Sequence, residues 1–365
     1  MKNIVFYYPV IYQDGLKTTF EKYIKFFKKK FNIILITNSP KKFFSGKQYS
    51  HVKVHNLNNL ILRRFKHLNG ICCLLKIFRY LNNKSIIFSL DNHYFLTILK
   101  IFIRNFKLVI RIPNPIITSN NSLKRKYQAR FFSKNPGLPL GRFETQLMRF
   151  SEKLIVSSRE QILYLKKKYK FSNLILIRNI FEKKITKKKI TKVKNIFFIG
   201  RLSDSKDPFF FINNLLEVRK KYLVNIHVIG DGELKNRILK LFGKNKSIKF
   251  YGHVKKPFEK FYKKIDLFCL TSKFDGTPNV LGEAISYCIP CMAPKNVGNV
   301  NELLGNGKFG SIYAPQNNFS FQNVLIKAMQ NPRKIERKAQ MASKNLVKFS
   351  KENTFTKLEK VLRTI

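Results

Sequence analysis

Residues 266–284 read DLFCLTSKFDGTPNVLGEA. The first seven residues form an apolar run of strand length, of the kind buried on both faces of a parallel sheet. KFDGTPN then lies at the carboxyl end of that strand, in the loop where parallel sheets place ligands. Pro278-Asn279 favours a turn followed by a helix start, which puts the amides of residues 279–281 at a helix N-terminus, a ready anion site. Asp275 falls in the loop and Glu283 about one turn into the helix, both beside that pocket.

Working outward, Cys288-Ile-Pro-Cys291 follows the helix and precedes a strand. A thioredoxin-like pair needs the reverse order, with its first Cys at a helix N-terminus, so these cysteines read as packing residues. With only six His and no His or Cys cluster at ligand spacing, no metal is expected. Upstream, IGRLSDSKDP ends a strand at Gly200 and places Arg201 and Lys206 in one loop. Arg as a planar fork and Lys as a point charge suit a diphosphate. A solvated loop of a Lys-rich protein has the same residues, and the string alone leaves both readings open. VIGDGEL (228–234) lacks the third Gly of a dinucleotide fingerprint and reads as a tight strand-to-helix turn. FYGHV (250–254) again ends a strand in Gly, with Gly252 able to meet a base edge and His253 read as a loop residue.

The same alternation runs through the chain. NIVFYYPVI (3–11), NIILIT (32–37), SIIFSL (85–90), KLVIRI (107–112), KLIVSS (153–158) and NLILIRN (173–179) read as strands. Leu16, Phe20, Tyr23, Ile24, Phe27 and Phe31 recur at helical spacing between the first two. EKKITKKKITKVK (182–194) has almost no apolar surface to bury and reads as a linker or exposed edge. A second series follows: NIFFIG (195–200), NIHVIG (225–230), SIKFYG (247–252), DLFCLT (266–271) and IPCMAP (289–294). The expectation is an α/β protein with two doubly wound domains across a cleft, over 1–181 and 195–349. From Ser350, Phe355, Leu358, Val361 and Leu362 form a last helix, 350–365.

The formal charge of +52 draws phosphates, nucleic acid or an anionic membrane. Abundant Lys, Asn, Ile and Phe with no Trp is also how an AT-rich genome spells almost any protein. The start, MKNIVFYYPVIYQDG, lacks a secretory leader, and no apolar run approaches the roughly 20 residues that span a bilayer. Five cysteines in mostly apolar settings fit a reducing cytoplasm. Residues 60–84 mix Arg and Lys with Leu, Ile, Phe and Cys, as a helix lying in a membrane interface does, and as a core helix with a basic outer face also does.

Taken together, these residues resemble glycosyltransferase family 4, retaining sugar-nucleotide transferases of the GT-B fold. The resemblance rests on GRLSDSK (200–206), GDG (230–232), FYG (250–252), DLFCLTS (266–272), DGTPNVLGEA (275–284), CIP (288–290) and GNVNE (298–302), in order. RIPNP (111–115) is similar to an Arg-containing strand end of some lipopolysaccharide-type members, and the helix from Ser350 resembles the segment that crosses back to the first domain. The family's first acid is Glu where this chain has Asp275, its small Gly before Ile-Pro is Cys288, and its N-terminal Gly-Gly is Asp14-Gly15.

The resemblance implies two Rossmann-like domains facing a cleft. It implies that Gly200, Arg201 and Lys206 take the donor's diphosphate and that Glu283 holds the ribose. Asp275 and the amides of Pro278, Asn279, Val280 and Leu281 would face sugar and β-phosphate, Gly252 and Val254 the base, and Gly15, Arg111 and Asn114 the acceptor side. No cofactor is implied. The expected activity is transfer from a UDP-sugar to a lipid-linked or polysaccharide acceptor in surface-glycan synthesis, by a cytoplasmic protein peripheral to the inner face of the plasma membrane. A sugar-nucleotide 2-epimerase of the same fold is the alternative. A nucleic-acid binder is a third reading, and no recognition motif supports it.

Overall fold

The computed structural model describes residues 2–11, 15–91, 93–112, 145–185 and 187–365. The chain divides into two compact units, Met1–Arg178 with Phe355–Ile365, and Asn179–Thr354. Each is built on one wholly parallel sheet flanked by helices.

The first unit's strands are β1 (Asn3–Tyr7), β2 (Asn32–Thr37), β3 (Val52–Asn56), β4 (Ser85–Ser89), β5 (Lys107–Arg111), β6 (Lys153–Val156) and β7 (Leu174–Leu176), in spatial order β3-β2-β1-β4-β5-β6-β7. Among the described residues its helices are α1 (Gly15–Phe27), α2 (Lys66–Leu75), α3 (Tyr94–Phe102) and α4 (Arg159–Tyr169). Successive residues of one strand feed opposite layers. Val5 and Tyr7 join one apolar cluster, while Phe6 meets Phe20 of α1 edge-on, with ring centres 5.0 Å apart. Two-sided burial is why these strands carry unbroken apolar runs.

The second unit's strands are β8 (Asn195–Ile199), β9 (Asn225–Ile229), β10 (Ile248–Phe250), β11 (Leu267–Cys269), β12 (Cys291–Pro294) and β13 (Ser311–Tyr313), ordered β10-β9-β8-β11-β12-β13. Between them run α5 (Pro208–Arg219), α6 (Lys235–Phe242), α7 (Pro257–Phe261), α8 (Asn279–Ser286) and α9 (Val300–Leu303). The series closes with α10 (Asn318–Gln330), α11 (Pro332–Asn345) and α12 (Lys351–Thr364). Ile196 and Phe198 of β8 join one core cluster, and Phe197 and Ile199 join the other.

All eleven strand runs expected from the sequence are present. The two strands without such a run, β3 and β13, are sheet edges. β3 alternates Val52 and Val54 with Lys53 and His55, and β13 is three residues long. Residues 182–194 differ from a bare linker: they belong to the second unit, and Ile190 and Val193 are buried in its core. Helix α12 begins in the second unit and ends in the first, where Phe355 stacks on Phe26 with ring centres 4.3 Å apart.

Gly230 shows why the Gly-x-Gly turn is structural. With φ at +151°, a Cβ on it would lie 1.8 Å from the Gly200 carbonyl oxygen, so the turn after β9 presses directly on the loop after β8. Leu202 N donates to Asp231 O at 2.9 Å in the same contact.

Candidate active site in the second unit

Strand order reverses between β8 and β11, and in open α/β sheets the crevice at such a reversal is where ligands bind. The loops leaving those two strands, 200–207 and 270–278, carry Arg201, Lys206 and Asp275. They are stitched together. Thr271 Oγ1 donates to the carbonyls of Lys206 and Asp207 at 2.8 and 3.2 Å. Lys273 N donates to Ser205 O at 2.9 Å, and Lys273 Nζ pairs with Asp207 at 3.1 Å. Lys206 Nζ donates to Asp275 Oδ2, whose other oxygen accepts from Gly276 N at 3.0 Å. Asp207, at φ +50°, caps α5 by accepting from Phe210 N.

A third loop, after β12, joins them. Gly298 sits at φ +56°, and a Cβ there would lie 2.5 Å from the Gly276 carbonyl oxygen. That close approach brings Asn299 beside the 275–277 turn. Asn299 is fully buried, and neither atom of its side-chain amide has a protein partner. The hydroxyls of Ser272 and Thr277 are also buried and unpartnered. Among the described residues of the second unit, these are all the uncharged side-chain polar atoms buried without a partner. Such groups are rare and costly, and their concentration in loops at the reversal point makes these loops a candidate site for a polar ligand.

Helix α8 provides less than the string suggested. Pro278 has no N–H, and the Leu281 N–H donates to Pro278 O at 2.9 Å. Asn279 and Val280 therefore supply the helix's free first amides. The Asn279 side chain accepts from Asn179 Nδ2 at 2.7 Å, and the Leu281 side chain is buried in the core. Glu283 is exposed, close enough to add to the upward push on the Tyr287 phenol, behind burial and Glu259. Arg201 is exposed with no carboxylate paired to it among the described residues. Gly200 N donates to Ile229 O at 3.0 Å.

Gly252, at φ +63° with open space on its Cβ side, lies two residues past the end of β10, two strands from β8. At ~4.8 Å per strand that is about 10 Å, the reach of a base from its diphosphate. Val254 packs on the apolar cluster beside it.

Cys288, Cys291 and Cys269 are buried free thiols. Burial pushes the Cys291 thiol well up and raises Cys288, the reverse of a reactive pair. Among the described residues no group of three or more His, Cys, Asp or Glu is arranged to hold a metal ion.

Gly15, Arg111 and Asn114 of the first unit were expected on the acceptor side. Arg111, at the end of β5, is 2% exposed; it donates to the Tyr23 hydroxyl at 2.5 Å and lies over that ring. Gly15 begins α1, while Asp14 and Asn114 lie outside the described residues. The reversal in this sheet falls between β1 and β4. There His93, which sequence reasoning passed over, is buried with Nδ1 2.7 Å from Ser89 Oγ. The signal was the polar run Asp91-Asn92-His93 directly after SIIFSL. Asn299 and Thr277 were also missed, because unpartnered burial is not written in a string.

With fold and site in place, the class emerges from comparison. Residues 180–346 match the family described as Glycosyl transferases group 1. The particular relatives are as follows. An O-antigen biosynthesis glycosyltransferase of Escherichia coli, WbnH, is 34% identical over 113 residues, covering 31% of this chain and 32% of that one. An uncharacterized glycosyltransferase of Methanocaldococcus jannaschii, MJ1059, is 34% identical over 110 residues, covering 29% and 27%. The matched stretch thus spans about a third or less of these relatives. The crystal structure of Anabaena Alr3699/HepE in complex with UDP and glucose superposes with a TM-score of 0.77 at 16% identity, covering all of both chains. The fold is that of this GT-B group: two Rossmann-like units.

Proposed function

We propose that the protein is a retaining glycosyltransferase of the family 4 type, moving a sugar from a UDP-sugar to a lipid-linked or polysaccharide acceptor in cell-surface glycan synthesis. The observation that carries this reading is the convergence, at the β8/β11 reversal, of two cations, a helix N-terminus and a set of unpartnered buried polar groups. It lies within the segment that matches the glycosyl transferases group 1 family. The lipopolysaccharide and O-antigen names of several relatives support the acceptor class.

In this reading Arg201 and Lys206 grip the diphosphate, and the Asn279 and Val280 amides meet its β-phosphate. Glu283 holds the ribose hydroxyls, and Gly252 and Val254 border the base. Asp275 meets the sugar. Negative charge develops on the departing diphosphate, and pre-placed cations and helix amides stabilise it without a metal or other cofactor. Gly15 and the strand-end residues of the first unit serve the acceptor. The place of work is an anionic membrane surface on the cytoplasmic side; among the described residues no helix is long and apolar enough to cross a membrane.

The test is a donor-panel hydrolysis assay on wild type, Lys206→Ala and Glu283→Ala. Wild type is expected to turn over one UDP-sugar best, and both variants to lose at least about tenfold in kcat/KM, at 1.4 kcal/mol per factor of ten. Equal activity in all three removes the site assignment. Failure of the wild type on every sugar nucleotide removes the function.

A further inference from the structure

Helix α2 is apolar on two sides. Cys73 and, just past the helix, Ile77 are fully buried, whereas Leu68, Ile71 and Leu75 stand outward at i, i+3 and i+7, at 47, 38 and 64% exposure. Phe65 before the helix and Phe78 after it extend the stripe at 58 and 49%. The neighbouring helix α3 ends in Phe102, 80% exposed. A contiguous exposed apolar patch marks a docking surface.

The charge around the stripe selects the partner. Arg64, Lys76 and Arg79 are exposed within the same segment. No Asp or Glu occurs between Glu21 and Asp91. The positive field reaches His55, whose imidazole is held below its ordinary pKa by burial first, then by Arg79, Lys53 and Lys76. A symmetric pair of copies joined through this face would set cations against cations. An anionic lipid surface would instead take the cations at its headgroups and the apolar side chains beneath them.

We propose that this face of the first unit docks on an anionic lipid bilayer. Phe65, Leu68, Leu75 and Phe78 enter the boundary between headgroups and acyl chains, and Arg64, Lys76 and Arg79 meet lipid phosphates. This deepens the membrane partner proposed above by naming the face. It does not depend on sugar transfer, so a chain inactive on every donor can still pass the test below, and the converse also holds.

The experiment is co-sedimentation of the full chain with vesicles of phosphatidylcholine alone or mixed with phosphatidylglycerol. The mixed vesicles are expected to bind at least tenfold more tightly. Phe65→Ser/Leu75→Ser keeps every charge and should weaken that binding at least tenfold with an unchanged melting temperature, because both side chains are already exposed. Arg64→Glu/Arg79→Glu should weaken it similarly, while Lys221→Glu/Lys244→Glu on the second unit should change it little. The chain has no Trp, so Leu75→Trp provides a local reporter whose emission should shift to the blue on the mixed vesicles. If the Ser pair binds like wild type, or the second-unit charge pair weakens binding as much as the Arg pair, the net charge alone accounts for adsorption and the proposal falls. It also falls if the Ser pair abolishes a lipid-free dimer, which would give the face to a second copy.

Discussion

Lys206 donates to Asp275 across 69 residues of chain, joining the loop after β8 to the loop after β11. The pair is partly exposed, so its net worth is about 0.5–1 kcal/mol. The same ammonium is assigned to the donor's diphosphate, so the carboxylate and the phosphate compete for it. Asp275→Asn releases the lysine. We expect UDP to bind about two- to fivefold more tightly to that variant in calorimetry, while turnover of the UDP-sugar falls. Weaker UDP binding would show that Asp275 supports the phosphate site rather than contesting it.

Thr277 and Asn299 give a second prediction, because their cost and their use separate. Thr277→Val and Asn299→Leu remove buried polar atoms that have no protein partner, so ligand-free stability should stay level or rise by about 1 kcal/mol. Donor binding should weaken by roughly tenfold per lost hydrogen bond. Denaturant melts and UDP-sugar titrations on the same preparations check both halves. Two variants that bind donor as wild type does would reduce these atoms to packing defects.

His227 sets a pH dependence. Its ring is buried on β9, stacked 4.2 Å from Phe197, with Nδ1 2.9 Å from the Tyr251 hydroxyl. Burial, then Lys264 and Lys249, lowers its pKa to about 4 from the ordinary 6.5. The unfolded chain therefore takes up a proton near pH 6.5 that the folded chain refuses until about pH 4. This group's contribution to stability is full above pH 6.5 and declines as pH falls through that window. His227→Gln should flatten the slope of unfolding free energy against pH between those limits, and an unchanged slope would assign it to other groups.

Cys288 occupies the left-handed region at φ +53°, where a residue with a Cβ costs about 1–2 kcal/mol. Gly relieves that cost but empties the buried thiol's space, so Cys288→Gly should move stability by no more than about 1 kcal/mol. Cys288→Val adds a β-branch in the same conformation and should cost at least about 2 kcal/mol. Chemical denaturation of the three proteins orders them, and a Val variant as stable as wild type would contradict the conformational account.

The strands most legible in the sequence were those whose two faces are both buried, since NIILIT or NIFFIG carries its own evidence. β3 escaped because only half of it is apolar, and β13 because Ser311-Ile312-Tyr313 opens on a polar residue and is not part of a longer apolar run. In the site, Lys206, Asp275 and Glu283 could be read from local order, a strand end followed by a helix start. Arg111 also sits at a strand end, and it donates to Tyr23, 88 residues away. Nothing local in RIPNP announces that hydrogen bond. The Asn299 amide was likewise invisible, since it stands out through what three loops fail to offer it.

Phe355 stacks on Phe26, and Glu359 on the same helix pairs with Lys30. Between those partners the chain runs through the whole second unit. The ribosome must therefore complete the whole second unit before the first receives the residues that finish its core. Unit-by-unit folding from the N-terminus, the usual order during synthesis, would leave Phe26 and Lys30 without these partners until the second unit has been made.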